Sequence, residues 1–406
     1  MMRRKIAGPL AALLVTFFGA RLEARTWTDV LGRKIEAELI AHDDTEVVLR
    51  LANGRNATVP LSRLCEADIA FLNGETEETP EPAPVLDSDD KDEPAGEPLL
   101  NWDEPWPESV DYKADPEINV VEEDETAKRW VYESSHYRFI CDVRLSKSVV
   151  SNFAEMFEST LQYTRALPLA ITGGTMREGR FEILLFEEFD DYVKAGGPPT
   201  SAGVFIGGKN QVMVPLESLG VRKVGSGYMR DRDKSNKTLV HELTHQLTPG
   251  GYYIYGAMGW FTEGLAEYCA VTPYRNGRFK VRNTFDSLKD YTTGYDRKTQ
   301  RGRAIGTSFS APDLREFMLM DYGDFTGTNA NFNYAFGAIV TGYFVHLDGE
   351  GDAARLKNFL KKIRQGEEVK DGDGPLSALL DGRTWDQLEK EIAKAWSRKG
   401  VDIEFD

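Results

Sequence analysis

The sequence predicts an α+β protein in two folded parts: a small all-β unit, then a larger domain with a mixed sheet lobe and a helical lobe. Three observations predict it. Between residues 25 and 73, short runs alternate apolar and polar residues and are separated by turn residues, the period of half-buried strands. Between 74 and 127 the composition turns acidic and proline-rich. Beyond 128, a few strand-like runs give way to segments with apolar residues three and four apart, the period of amphipathic helices.

The chain starts Met1-Met2-Arg3-Arg4-Lys5 and continues with an apolar run from Ile6 to Ala20. A basic start followed by a run of that length is the pattern of a secretion signal, assigned here to residues 1–24, and is short for a membrane span. No later stretch is apolar enough to cross a bilayer, so the expectation is an exported protein, periplasmic or extracellular. Three cysteines, Cys65, Cys141 and Cys269, sit in apolar settings. An odd count leaves at least one thiol unpaired, and such cysteines read as small buried hydrophobes.

In the first unit, Arg25-Thr26-Trp27-Thr28-Asp29 leads to a Gly32-Arg33 turn. Runs at 35–40, 46–51 and 56–60 follow, with turn residues at 42–44 and 53–55. They predict a small antiparallel barrel closed by a short helix over 61–72. The pattern of Trp27-Thr28-Asp29, Gly32-Arg33, Asn53-Gly54-Arg55, Val59-Pro60-Leu61 and Asp68 resembles the first Sla homology domain, an SH3-like barrel. That resemblance implies a peptide-binding or tethering module with a peptide or protein ligand.

Residues 75–126 hold 20 Asp and Glu against 2 Lys, a local charge of −18 in a chain whose net charge is −17. Such a segment reads as a self-repelling, disordered linker, placed here at 74–127. It also argues against nucleic acid as a partner.

The second domain, 128–406, begins with a strand or hairpin from Trp130 to Asp142. A helix follows over 146–170 with Ser146 as its cap, then a buried strand at 181–186 and a short helix at 187–195. Strands at 204–206 and 211–214 form a hairpin. After residue 270 the reading is mostly helical: Ser310–Asp321, Tyr334–Leu347, Asp352–Gln365 and a last helix opened by the capping box Thr384-Trp385-Asp386-Gln387. Residues 283–307 read as a long polar loop over the site.

The chemistry concentrates between Val240 and Ala270. His241-Glu242-Leu243-Thr244-His245 places two of the chain's five histidines at i and i+4, ~6 Å apart on one helix face. Both imidazoles can therefore meet one metal ion, with Glu242 beside it. Eighteen residues after His245 comes Glu263, in Trp260-Phe261-Thr262-Glu263-Gly264-Leu265-Ala266-Glu267-Tyr268. A catalytic zinc needs three protein ligands and an open position, which His241, His245 and Glu263 would supply. Glu267, four residues on, can accept the free ring N–H of a ligand histidine. Two amphipathic helices with solvated charges are the plain alternative.

This stretch resembles the gluzincin zinc metallopeptidases, in particular the zinc aminopeptidases whose third-ligand helix begins Trp-x-x-Glu-Gly. The resemblance covers about thirty residues. It implies a zincin-like fold and one Zn2+ per chain held by His241, His245 and Glu263. It also implies Glu242 as general base and Glu267 as a partner of the ligands. Tyr334-Ala335-Phe336-Gly337, with Tyr334 71 residues after Glu263, is similar to the family's Tyr-x-x-Gly and implies Tyr334 as oxyanion donor. Tyr334 reads equally as a core aromatic at a helix start, and His346 is its rival. The family's Gly-x-Met-Glu-Asn grip on a free amino terminus is missing upstream of His241, so an endopeptidase is expected. In zincins the strand ahead of the zinc helix is a sheet edge that pairs with substrate, which implies Gln211, Val212, Met213 and Val214 as substrate contacts. The expected activity is hydrolysis of a peptide or protein substrate. The alternative is a catalytically silent zincin-fold binding protein, with the barrel as the binding module.

Overall fold

The structure is a computed structural model. It describes residues 25–28, 34–42, 46–51, 56–60, 63, 64, 68, 100–171, 173, 174, 176–199, 201–207, 209–231, 237–253, 258–294, 302–367 and 373–406. The expected signal segment, Cys65, most of the expected 61–72 helix and residues 74–99 lie outside these residues.

The first unit is an all-β sheet. Strands β1 (Arg25–Thr28), β2 (Lys34–His42), β3 (Glu46–Leu51) and β4 (Asn56–Pro60) pair antiparallel in chain order. Their alternation gathers Trp27, Ala37, Val47 and Leu49 with Leu64 into a small core. The Trp27 indole is fully buried and donates to the Ala37 carbonyl at 3.0 Å. Arg25 pairs with buried Asp68 at 2.6 Å and lies 4.9 Å over the Trp27 ring. Trp27 and Asp68, two landmarks of the sequence pattern, thus hold the core and its one buried ion pair among the described residues.

The second unit is mixed α+β. Its first strands are β5 (Val110–Asp111), β6 (Asn119–Asp124), β7 (Arg129–Glu133), β8 (Tyr137–Cys141), β9 (Phe181–Phe186), β10 (Val204–Ile206) and β11 (Gln211–Pro215). Six of them form a sheet in the order β10-β11-β9-β8-β7-β6. Strands β8, β9 and β11 are parallel, and the hairpin partner β10 closes one edge antiparallel. Helix α1 (Lys147–Ala166) starts at Ser146, whose hydroxyl accepts from the Val149 N–H. Its stripe of Val149, Val150, Phe153, Met156, Phe157 and Leu161 is buried. Phe153 and Phe157 meet Phe139 of β8 edge-on, ring centroids 5.2 and 5.0 Å apart. Helix α2 (Phe189–Lys194) follows β9 and ends at a Gly-Gly-Pro-Pro break.

The rest is mainly helical: α3 (Lys237–Leu247), α4 (Gly259–Val271), α5 (Thr284–Thr293), α6 (Leu314–Met318), α7 (Tyr322–Phe325), α8 (Ala330–His346), α9 (Ala354–Arg364), α10 (Ser377–Leu380) and α11 (Trp385–Ser397). The capping box at Thr384 and Gln387 forms as expected. Cys141 and Cys269 are free and buried. Among the described residues no helix is long and apolar enough to cross a membrane.

Three expectations need correction. The linker does not extend to 127. Trp102, Val110 and Ile118 are buried, β5 pairs with a strand at Arg278–Phe279, and β6 is an outer strand of the large sheet. The acidic residues of this stretch sit mostly at exposed positions, so charge counting hid the buried apolar ones. Residues 310–321 are not one helix. Ser308–Ala311 is a strand paired parallel with Asp402–Phe405, and α6 begins only after Asp313, which caps it. Residues 283–307, expected as loop, contain α5.

Helices α4 and α8 cross at two glycines. A Cβ on Gly264 would lie 2.5 Å from the Gly337 carbonyl oxygen and 2.5 Å from the Thr341 hydroxyl. A Cβ on Gly337 would lie 2.9 Å from the Trp260 carbonyl oxygen. Backbone therefore faces backbone, which only glycine permits. Gly264→Ala should destabilise the protein by about 1–3 kcal/mol through overpacking, although Ala is intrinsically the better helix former by ~1 kcal/mol. Urea denaturation checks this; an unchanged or higher midpoint would mean that the helices are free to move apart.

Candidate functional site

Helix α3 presents its apolar residues Leu239, Val240, Leu243 and Leu247 to the core and turns His241, Glu242 and His245 the other way. It is tied to the sheet by Gln246, whose amide donates to the Glu182 and Asn210 carbonyls at 3.1 and 3.2 Å. Helix α4 is buried on every face, as a helix through the middle of a domain must be. Glu263 and Glu267 are both 2% exposed. Such carboxylates need partners, because an unpaired buried charge is costly.

The partners are the histidines. His241 Nε2 lies 3.1 Å from Glu263 Oε2, and His245 Nε2 lies 3.3 Å from the same oxygen. The two Nε2 atoms are 3.1 Å apart. Three ligand atoms thus converge on one point, the only such His/Cys/Asp/Glu group among the described residues with metal-binding spacing. Glu267 Oε1 stands 3.6 Å from His241 Nδ1, on the far side of that ring. Glu242 sits beside the group, its Oε2 accepting the Phe205 N–H of β10 at 2.8 Å.

Electrostatics follow from this crowding. Burial opposes a charged His241 ring, but Glu263, Glu267 and Glu242 outweigh it and raise its pKa to about 9. Burial would also raise Glu263, yet the two imidazoles hold it well below the usual carboxylate range. Burial raises Glu242 above its usual value, and the two histidines only partly oppose this. Arg303 balances the acidic set: its guanidinium is hydrogen-bonded to Glu267 Oε1.

Tyr334, the fifth residue of α8, stacks on His241 with centroids 6.1 Å apart and planes 20° apart. Arg303 also lies over its ring, 4.5 Å from the ring centre. Burial and the nearby carboxylates push the Tyr334 phenol pKa up, which keeps it a protonated donor. His346 is elsewhere: its Nε2 is 3.0 Å from the Tyr268 hydroxyl, and burial lowers it to about 4. His136 pairs with buried Glu158 at 2.7 Å.

The substrate strand needs correction. Gln211, Val212 and Met213 pair with β10 on one side and β9 on the other. Val212, Met213 and Val214 are buried, and the Gln211 amide is spent on Glu182 at 2.6 Å. The edge is β10, not β11, so these four residues are not an open pairing edge.

Four further residues make contacts here that the sequence pattern does not show. Tyr322 donates to Glu263 Oε1 at 2.6 Å. Arg303 holds Glu267. Phe205 fixes Glu242 and stacks on His245 with centroids 6.4 Å apart. Tyr253 donates to the His245 carbonyl at 2.7 Å. None lies at a helical or strand period from the motif, so each is a tertiary contact without a local signal.

Comparison with known families adds one finding. Residues 20–79 match SLA1 homology domain 1, SHD1. The match covers the first unit, where the sheet and its Trp27 core lie, and stops well short of α3. No curated protein matches the chain.

The Arg303–Glu267 pair has a testable weight. Arg303→Met leaves Glu267 buried without its cation and should destabilise by roughly 2–4 kcal/mol, a range lowered for the partly open Arg303. Adding Glu267→Gln should recover much of that loss. A double-mutant cycle by chemical denaturation checks it; additive losses would mean that the two side chains do not interact.

Proposed function

We propose that the second unit is a zinc-dependent peptidase. The observation that carries this reading is the convergence of His241 Nε2, His245 Nε2 and Glu263 Oε2, 3.1–3.3 Å apart. The donor set fits the ion. Two imidazole nitrogens and one carboxylate oxygen are a catalytic zinc set, and tetrahedral bonds of ~2.0–2.1 Å put neighbouring donors ~3.3 Å apart. The resemblance of the His241–Glu267 stretch to gluzincins supports the same reading and suggests the zincin-like fold.

Bound zinc supplies Lewis acidity towards a water and the scissile carbonyl. The chain's own residues supply the remainder. Glu242, aimed by the Phe205 N–H, accepts a proton from the attacking water and returns it to the leaving amine. Its raised affinity for a proton suits that exchange. Tyr334, kept protonated and packed against His241 and Arg303, donates to the developing oxyanion. Glu267 orients His241 through Nδ1. The first unit serves as a peptide-binding or tethering module, a role suggested by its SHD1 match.

Metal content of the purified protein tests the reading. Wild type should carry about one zinc per chain and His245→Ala little, as loss of one of three ligands requires. Glu242→Gln should keep its zinc and lose about 10²–10⁴-fold in turnover of a peptide library. Wild type without zinc after supplementation would refute the metal site. Full turnover by Glu242→Gln would remove Glu242 from the mechanism.

A further inference from the structure

We infer that Tyr322 is the positioning residue of Glu263, holding one carboxylate oxygen so that only the other faces the two imidazoles. This rests on the zinc reading above. The two oxygens of Glu263 have different surroundings. Oε2 lies 3.1 and 3.3 Å from the histidine nitrogens. Oε1 accepts the Tyr322 hydroxyl at 2.6 Å, the short length of a hydrogen bond to an ionised oxygen. Glu263 is 2% exposed, so water is a poor substitute for the phenol. The terminal torsion of a glutamate is broad, and the carboxylate can turn unless something fixes its second oxygen.

The consequence is for coordination. A catalytic zinc keeps one position open. A carboxylate free to rotate can bring both oxygens to the ion and fill it. The phenol removes that option by engaging Oε1 in advance.

Tyr322 has a rigid mount. Helix α7 is only four residues long, and Asp321 caps it through the Gly323 N–H at 2.8 Å. Phe325, at its other end, lies against the first residue of α4. A Cβ on Gly259 would be 2.6 Å from Phe325 Cγ. The Phe325 ring also packs on Phe317 and Tyr334, centroids 5.8 and 5.6 Å away, and Asn333 donates to its carbonyl at 2.8 Å. The segment is thus fixed to the start of α4, one turn before Glu263, and to the start of α8. Tyr322 belongs to none of the sequence motifs, and the mechanism does not call on it for a proton.

The experiment compares wild type, Tyr322→Phe and Glu263→Ala in the full chain, with two metals. Zinc affinity is measured by chelator competition, and the coordination number by visible absorption of the cobalt-loaded protein. Tyr322→Phe should bind zinc about 10–100-fold more weakly. Its cobalt bands should weaken towards the five-coordinate pattern, while its metal-free form melts no more than about 10 °C below wild type, the loss expected for one hydrogen bond to a buried carboxylate. Glu263→Ala should lose both metals. Wild-type affinity and spectrum in Tyr322→Phe would overturn the inference and leave the zinc site standing. Weaker binding with an unchanged spectrum would overturn the single-oxygen assignment. A metal-free variant that melts much lower would make Tyr322 a packing residue and overturn it too. Wild type that binds neither metal would bring down the zinc reading itself.

Discussion

The close crossing of α4 and α8 carries the site. Gly264 and Gly337 let two backbones touch where any side chain would hold them apart. The residue just before Gly264 is Glu263, and Tyr334 lies three positions before Gly337, so the contact that stabilises the crossing also sets the distance between them. With α3 packed against α4, the His241 ring meets Glu263 at its edge and Tyr334 on its face. A spread of even one methyl group would move a carboxylate that has few ways to adjust. The two glycines are therefore part of the site's geometry although neither carries a functional group.

That geometry concentrates negative charge in a buried place. Glu242, Glu263 and Glu267 lie around two imidazoles, and Arg303 is the cation paired with one of them, Glu267. Each carboxylate is held by a different structural element: Glu242 by the backbone of β10, Glu263 by Tyr322 of α7, Glu267 by Arg303 of the loop after α5. Buried acids at such spacing repel one another unless each is tied separately. The distribution of ties gives three nearby carboxylates three different environments, and it sets the proton affinities of Glu263 and Glu242 apart. Glu263 stays ionised, and Glu242 is drawn towards its protonated form.

What the sequence revealed follows from how far each signal travels. His241, Glu242 and His245 share one helix, and Glu263 and Glu267 another, so helical period alone places them on faces. The first sheet was legible for the same reason, since period-two runs and their turns are local. The residues that tie the carboxylates were not legible, because Phe205, Arg303 and Tyr322 reach the site only through tertiary packing. Strand order is also non-local. The hairpin of β10 and β11 was readable, but which of the two lies at the edge depends on β9, about 25 residues earlier. The acidic stretch misled in another way. Composition averages over a segment, whereas Trp102, Val110 and Ile118 enter the core one at a time.

The edge strand and the proposed base are mechanically one unit. In an antiparallel pair a residue's N–H and C=O point to the same side. The Phe205 N–H reaches Glu242 rather than β11, so Phe205 is an outward-facing residue of β10, and its amide is already committed. A backbone donor costs nothing to the sheet there, because the edge has no further strand to satisfy. The same residue lays its ring on His245. One position on β10 thus fixes the carboxylate on one side and an imidazole on the other. Any shift of that edge along the sheet must move both together. The separation between Glu242 and the His-His-Glu group is therefore set by sheet register as much as by the helix that carries the motif.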